Sequence, residues 1–313
     1  MSIEFCHQAV MLAEVTEVLR DLPSGVVVDA TLGGGAHSEA LLNANENLQI
    51  IGFDRDQDAL NAARKRLSHH GERFIGVHQE FQHITEVLAS FGHQGAAGCL
   101  FDLGVSSFQL DNPQRGFSFR HNGPLDMRMD PSMQLTAADV VNNYDRAVLK
   151  DLLWRNAGEK NAQRISAAII AARPIATTQE LAETISDALP AAVKRRKGHP
   201  ARRTFQAIRI EVNQELSHLE SAVKQALSLL VPQGRCAVLA YHSGEDRIIK
   251  RCFREAANAP TPKRYALPPD PQKTATVRLL WSGARKPDAA EIVRNPRCTA
   301  ARMRAVEKLE TDT

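Results

Sequence analysis

Short apolar runs alternate with helix-spaced patterns over the first hundred residues. Gly25–Asp29 (GVVVD), Gln49–Asp54 (QIIGFD), Arg73–His78 (RFIGVH) and Gly98–Asp102 (GCLFD) are compact apolar runs between turn residues. Such runs predict strands buried on both faces. A helical segment begins near Ala36, between the first two strands. Between the second and third, Asp56–His69 lines up Leu60, Ala63 and Leu67 at helical spacing. Strands alternating with helices predict βαβ units and a parallel sheet.

The pattern then changes. From about Phe108 to Val212 the periodicity predicts helices near Ala137–Leu153, Asn161–Ala172 and Thr178–Ala188, and no strand. Phe205–Leu230 reads as one long amphipathic helix. Gly234–His242 (GRCAVLAYH) resumes the buried-strand pattern, and Ala275–Trp281 and Ala301–Leu309 supply the last strands. Pro260–Pro271 is rich in proline and reads as a loop. The economical reading is an α/β chain: a discontinuous sheet domain, residues 1–107 and 213–313, interrupted by an all-helical insertion over 108–212.

Composition changes this picture little. With 313 residues and 43% hydrophobic content the chain can bury a proper core, and a net charge of +3 does not by itself point to nucleic acid. Residues 1–20 carry Glu4, Glu14 and Glu17 and lack a continuous apolar core, so no secretory leader is expected. No apolar window approaches the length of a membrane span. The five cysteines, Cys6, Cys99, Cys236, Cys252 and Cys298, never occur as CxxC. That spacing favours a reducing cytoplasm over a disulfide framework or a zinc site, and Cys99 and Cys236 read as strand core.

Candidate chemistry begins in the turn Asp29-Ala-Thr-Leu-Gly33-Gly34-Gly35-Ala36-His37-Ser38, between a strand and a helix. Glycines there let a ligand approach the backbone, and the helix start offers free N–H donors. Asp54 ends the second strand, nineteen residues beyond Gly35, placed to accept hydrogen bonds from a ribose. A dinucleotide needs G-x-G-x-x-G, but the third position here is Ser38, and no second mononucleotide half is visible. S-adenosylmethionine makes no demand for phosphate-binding glycines. It needs an acid near the first turn, an acid for the ribose and a polar group after the fourth strand, and Asp29, Asp54 and Asp102 fill those places. S-adenosylmethionine is therefore favoured over a nicotinamide cofactor.

Asp102 also opens an irregular run, Leu100–Asp130 (LFDLGVSSFQLDNPQRGFSFRHNGPLDMRMD), laced with Gly, Pro, Asn, Arg and Asp. Irregular segments of this length are uncommon in compact domains and usually functional or disordered. An ordered cover, with Asp126, Arg128 and Asp130 forming ion pairs or meeting RNA, is the favoured reading.

Several long strings now become recognisable. They include Asp29–Ser38, Gly52-Phe-Asp-Arg-Asp56, Asp102–Gln109, Arg115-Gly-Phe-Ser-Phe119 and Gly123-Pro-Leu-Asp-Met-Arg-Met-Asp130. His199-Pro-Ala-Arg-Arg-Thr-Phe-Gln-Ala-Ile-Arg209, Tyr241-His-Ser-Gly-Glu-Asp-Arg247 and Asn295-Pro-Arg297 come after them. By these strings the chain resembles, nearly end to end, the bacterial ribosomal RNA small subunit methyltransferase H family (RsmH, also called MraW). The resemblance implies a Rossmann-like S-adenosylmethionine methyltransferase sheet with an inserted helical domain. The implied reaction is methylation of the exocyclic 4-amino group of a cytosine in the decoding region of 16S rRNA. The implied partner is 16S rRNA or the small ribosomal subunit, with a homodimer left open, and no metal is required.

Carried over residue by residue, cofactor contacts fall on Gly33, Gly35, Ala36, His37, Asp54, Phe81, Asp102 and Gln109. Phe81 would pack on adenine; without the resemblance it reads as plain core. Ala36 stands where the family usually has Gly, which requires a negative φ there. Gly244 replaces a usual Leu, and Cys298-Thr-Ala-Ala301 departs from the family pattern after Arg297. Asp102 is the candidate catalytic residue, serving the cofactor, the target amine or both.

RNA contacts are expected at two places. Lys194–Arg203 (KRRKGHPARR) holds six Lys or Arg in ten residues and no acid, around Gly198 and Pro200. A charge run is usually a solvated face, but in a loop Arg195, Arg196, Arg202 and Arg203 are free to meet phosphates. Arg128 and the rim after the fifth strand, His242, Ser243 and Arg247, complete the set. Arg247 meets RNA phosphate or pairs with Asp126 or Asp130. Glu245 and Asp246 serve the same rim or complement a helix N-terminus. The competing classes are another nucleic-acid amino methyltransferase, a non-enzymatic RNA-binding relative and a nicotinamide oxidoreductase.

Overall fold

A computed structural model of the chain describes residues 9–195, 198–258 and 274–310. Cys6, Arg196 and the Pro260–Pro271 segment lie outside them. The chain divides into two compact units, one over 105–216 and the other formed by the flanking segments.

The flanking segments build a seven-stranded sheet: β1 Gly25–Asp29, β2 Leu48–Asp54, β3 Phe74–His78, β4 Ala96–Asp102, β5 Leu230–Ala240, β6 Val277–Leu279 and β7 Arg302–Lys308. Their order is β3-β2-β1-β4-β5-β7-β6. The first five strands pair in parallel and β7 runs antiparallel to both β5 and β6. This is the mostly parallel α/β sheet that the strand pattern predicts, and it has the Rossmann-like order that the resemblance implies. In β1, Val26, Val27, Val28 and Asp29 are all buried, because helices cover both faces of a central parallel strand. β3 departs from the expectation of two-sided burial. It is the edge strand, and its residues are half-buried or exposed. Cys99 and Cys236 face each other in register on β4 and β5, both buried as strand core. Chain order reverses between β1 and β4, so the carboxyl ends of β1, β2 and β4 frame the crevice where ligands bind in such sheets.

The 105–216 unit has its own core, including Phe117, Leu152, Ile165, Leu181 and Ile208. Among its described residues the one β-pairing is the isolated bridge between Pro124 and Thr177. The segment expected as one helix over 137–153 is two, Ala137–Asn143 and Arg146–Ala157, with Tyr144 and Asp145 extended between them. Likewise, the expected long helix over 205–230 is Arg202–Asn213 and Leu219–Leu229. The first of these stops because Gln214 turns left-handed at φ 50°. Asn213, buried at that end, accepts from the Met129 amide at 2.7 Å and donates to Met127 O at 2.7 Å. The apolar period runs on through both breaks, which is why it conceals them.

The irregular run after Asp102 is tightly hydrogen-bonded. Ser106 and Gln109 form a capping box at the helix Ser107–Asp111. The Arg115 guanidinium donates to the carbonyls of Arg128 and Met129 at 3.1 and 2.8 Å. At Gly123 an added Cβ would meet Pro113 O at 1.9 Å, so only glycine fits that crossing.

Candidate functional site

The site is built at the carboxyl end of the parallel strands. Leaving β1, the chain hydrogen-bonds to its neighbours on both sides: Ala30 N donates to Leu100 O and Leu32 N to Phe53 O, each at 2.8 Å. Gly33 and Gly35 then take φ of 52° and 77°. A Cβ on Gly35 would press on Leu67 and Ala63 at 3.0 and 3.2 Å, so this glycine also lets two helices pack closely. Ala36 is the first residue of the helix Ala36–Ala44 and keeps a negative φ, so its methyl is accommodated.

Asp54, at the end of β2, braces this turn. Its Oδ2 accepts from the Gly33 amide at 2.8 Å and its Oδ1 from the Asp56 amide at 2.8 Å. Burial pushes its pKa up to about 6, against the pull of those two amides. Each carboxylate oxygen keeps a further lone-pair direction for a ligand donor.

Asp29 is used differently from the expectation. It is 1% exposed, and its Oδ2 accepts the Ser38 hydroxyl at 2.7 Å while Oδ1 takes the Thr31 amide at 3.3 Å. Burial raises its pKa. Its carboxylate shapes the turn from inside, not as a ligand contact.

Asp102 ends β4 half-buried. Its amide donates to Thr31 Oγ1 at 2.5 Å and its Oδ1 accepts the Tyr241 hydroxyl at 2.6 Å. His37 Nε2 stands 3.4 Å from Oδ2, an ion-pair distance without hydrogen-bond geometry. Neither His37 ring nitrogen has a hydrogen-bond partner among the described residues, although the ring is buried. Burial alone would lower the His37 pKa, but Asp102, Asp29 and Glu291 outweigh it and the pKa is raised. Phe81, half-buried just after β3, meets Phe101 edge-on at 6.0 Å. Gly33, Gly35, Ala36, His37, Asp54, Phe81 and Asp102 thus all belong to the sheet unit. Gln109 belongs to the 105–216 unit, where its Oε1 accepts the Ser106 amide at 3.1 Å.

Two residues expected to meet RNA are committed elsewhere. Arg128 grips Asp126 through Nε and Nη2 at 2.9 and 2.7 Å, and its Nη1 donates to the carbonyls of Pro131 and Met133. Of its five N–H donors these contacts use four, so Arg128 is a clasp of the irregular run. The pair also lowers the Asp126 pKa despite partial burial. His242 is the N-cap of the helix Ser243–Ala256, its Nδ1 accepting from the Gly244 and Glu245 amides at 3.2 and 3.3 Å. Its side chain is only 8% exposed.

Glu245 answers by accepting the Tyr241 and His242 amides, and Asp246 binds Arg304 and Arg302 on β7. Both carboxylates are therefore structural. Ser243 and Arg247 are exposed on the same helix.

The basic run is only partly a loop. Lys194 ends the helix Ala191–Lys194 and pairs with Asp187 at 3.5 Å. Arg195 is exposed beyond it. Arg202 and Arg203 are exposed in the first turn of the helix Arg202–Asn213, where cations oppose the helix dipole. Arg196 lies outside the described residues. Tyr241 and Glu291 join the site without being expected from the sequence. Tyr241 opens the recognised Tyr241–Arg247 string, whereas Glu291, which accepts the Met11 amide at 2.7 Å, carries no local signal.

The profile of the MraW methylase family matches residues 4–309. The chain belongs to that family. Curated relatives named ribosomal RNA small subunit methyltransferase H are similar along nearly their whole length. The one from Carboxydothermus hydrogenoformans is 46% identical, over 98% of this chain and 99% of its own. The one from Renibacterium salmoninarum is 48% identical, over 91% and 86%. Among solved structures, an rRNA methylase from Streptococcus thermophilus aligns over 96% of this chain and 94% of its own, at 13% identity and TM-score 0.40. A Streptococcus mutans protein crystallised in complex with SAH aligns over 96% and 99%, at 12% identity and TM-score 0.44. No described helix of this MraW-family chain is long and apolar enough to cross a membrane.

Proposed function

We propose that this chain transfers a methyl group from S-adenosylmethionine to the exocyclic 4-amino group of a cytosine in the decoding region of 16S rRNA. The observation that carries the reading is the gathering of the Gly33–Gly35 turn, His37, Asp54 and Asp102 at one end of the sheet, in a chain of the MraW methylase family.

The residues fit such a cofactor. Among the described residues buried His37 has no partner at Nδ1 and only the Asp102 carboxylate, 3.4 Å away, beside Nε2. Its ring would gain from a polar ligand, because a buried polar group left unbonded costs about 1–3 kcal/mol. A Cβ on Gly33 would meet nothing closer than Thr31 O at 4.0 Å, so the turn is open on that side. Asp54 would take the ribose hydroxyls, Phe81 would pack against the adenine, and Gly35, Ala36 and His37 would complete the contacts of the sheet unit.

When bound, S-adenosylmethionine supplies a methyl already activated on a sulfonium. The residues must therefore deal with the nucleophile, whose lone pair is delocalised into the cytosine ring. Asp102 would accept an N–H of the amino group, orienting the nitrogen and drawing its electron density outward. As the amine takes up the methyl, its nitrogen would give up one proton on the Asp102 side.

For the RNA, Arg195, Arg196, Arg202 and Arg203 form the proposed phosphate contacts, with Ser243 and Arg247 at the sheet rim. Two arginines in a helix first turn gain nothing from the dipole, and an anionic partner supplies the compensation. Replacing Arg195, Arg202 and Arg203 with Ala should weaken RNA binding about equally across sequences. It should also flatten the log K against log salt slope by roughly two to three units. Binding titrations from low to high salt check this, and an unchanged slope would return the run to a solvated face.

The reaction itself is tested with methyl-labelled S-adenosylmethionine and 16S rRNA or small subunits, followed by nucleoside analysis. Label in N4-methylcytidine is expected. Label in another base would move the chain to a different amino methyltransferase, and RNA binding without label would favour a non-enzymatic relative.

A further inference from the structure

We infer that Tyr241 is a positioning residue for methyl transfer, holding the Asp102 carboxylate at one angle through a part-buried hydrogen bond. The inference rests on the reading of Asp102 as the acceptor that faces the amine.

An aspartate at a strand tip has a soft, two-fold terminal torsion, so its oxygens do not point one way unless something holds them. Here β4 and β5 run in register to Asp102 and Leu239, and Leu103 N still donates to Leu239 O at 3.1 Å. Tyr241 therefore stands one strand over from Asp102 and two residues beyond its register partner. Its amide is tied to Glu245 Oε2 at 2.7 Å. A Cβ on Gly104 would touch the Tyr241 ring at 3.4 Å, an ordinary contact distance, so position 104 lies beside the ring.

The phenol is thus placed by its tied backbone, and its hydroxyl reaches Asp102 Oδ1 at 2.6 Å. Burial, then the Asp102 charge, keeps its pKa well above the ordinary phenol value, so at neutral pH it is a neutral donor. With Oδ1 held by Tyr241 and Oδ2 beside His37 at 3.4 Å, the remaining lone-pair directions of Asp102 are fixed. A hydroxyl whose only task was to be satisfied in the core would need a partner too. Removing the hydroxyl separates the two roles, because only a positioning role ties it to the rate.

The experiment compares Tyr241→Phe, Asp102→Ala and the double variant in the full-length chain. It reads single-turnover rates on 16S rRNA, KM, and the calorimetric Kd for S-adenosylmethionine. Tyr241→Phe is expected to lower the rate roughly 10- to 100-fold, the scale of a small misplacement of a reacting group, with Kd changed less than about threefold. On an Asp102→Ala background the same change should cost nothing further, because the pair acts as a unit. A wild-type rate in Tyr241→Phe beside a crippled Asp102→Ala would overturn the positioning role alone. So would multiplicative losses in the double variant, or a lost cofactor affinity in Tyr241→Phe. A wild-type rate in Asp102→Ala would instead remove the reading on which the inference stands.

Discussion

Asp102→Ala should slow methyl transfer roughly 10²–10⁴-fold, the range a positioned acid–base group supplies. The carboxylate is half-buried at the end of β4, with its oxygens against Tyr241 and His37. Its own amide is secured separately by Thr31 Oγ1, so the strand end stays in place when the side chain is cut back. What is lost is an acceptor for the amine and a partner for the Tyr241 hydroxyl, and the latter costs about 1–3 kcal/mol of stability. The variant should therefore melt somewhat lower yet remain folded and keep its RNA affinity. Single-turnover rates with both substrates saturating check this. A rate within threefold of the parent would show that the amine needs no acceptor at this position.

The second large effect concerns the cofactor. Asp54→Ala should weaken S-adenosylmethionine binding by roughly 10- to 100-fold, corresponding to about 1.5–3 kcal/mol for hydrogen bonds to a charged group. Part of this loss is indirect, because Asp54 also holds the Gly33 amide and so the shape of the glycine turn. Asp54→Asn keeps the size and one acceptor, and should lie between parent and Ala. Calorimetry decides, and unchanged affinity in both variants would remove Asp54 from the site.

The same carboxylate gives binding a pH dependence whose sign is fixed. Free of ligand, Asp54 holds its proton up to about 6 because it is buried. Since the folded value lies above the unfolded one, this group's contribution to stability is fully present at low pH. It is lost as pH rises through about 6. Hydroxyls donating to the ionised form pull the other way, so binding expels the proton in this window. Affinity should rise as pH climbs through about 6 and level off above it. Titrations at pH 5.5 in buffers of different ionisation enthalpy should report proton release; proton uptake would contradict the assignment.

How far the sequence reaches depends on whether a signal is local. GVVVD announces a central parallel strand, because four consecutive buried positions have no other economical home. Gly33 and Gly35 are visible as turn residues, and Asp54 as a strand-terminal acid. The helix breaks at Tyr144–Asp145 and Gln214 are hidden because apolar spacing continues across them, and the Gln214 turn is set by what Asn213 binds far away in sequence. Charge is the weakest guide. Arg128 looks like an RNA contact until Asp126 and two carbonyls claim it, and His242 until its ring caps a helix. Asp29 looks like a ligand acid until Ser38 takes it. Tyr241 stays inconspicuous for the complementary reason: its partner lies 139 residues away, and only strand pairing brings them together.

The proposed reaction is methylation of one cytosine of 16S rRNA at its 4-amino group. It is tested most directly by mass mapping of 16S rRNA from a strain lacking the gene. One cytosine should be a single methyl lighter than in the parent strain. The methyl should return when this chain is supplied and stay absent when Asp102→Ala is supplied at equal level. A full complement of cytosine methyls in the deletion strain, or restoration by Asp102→Ala, would contradict the account.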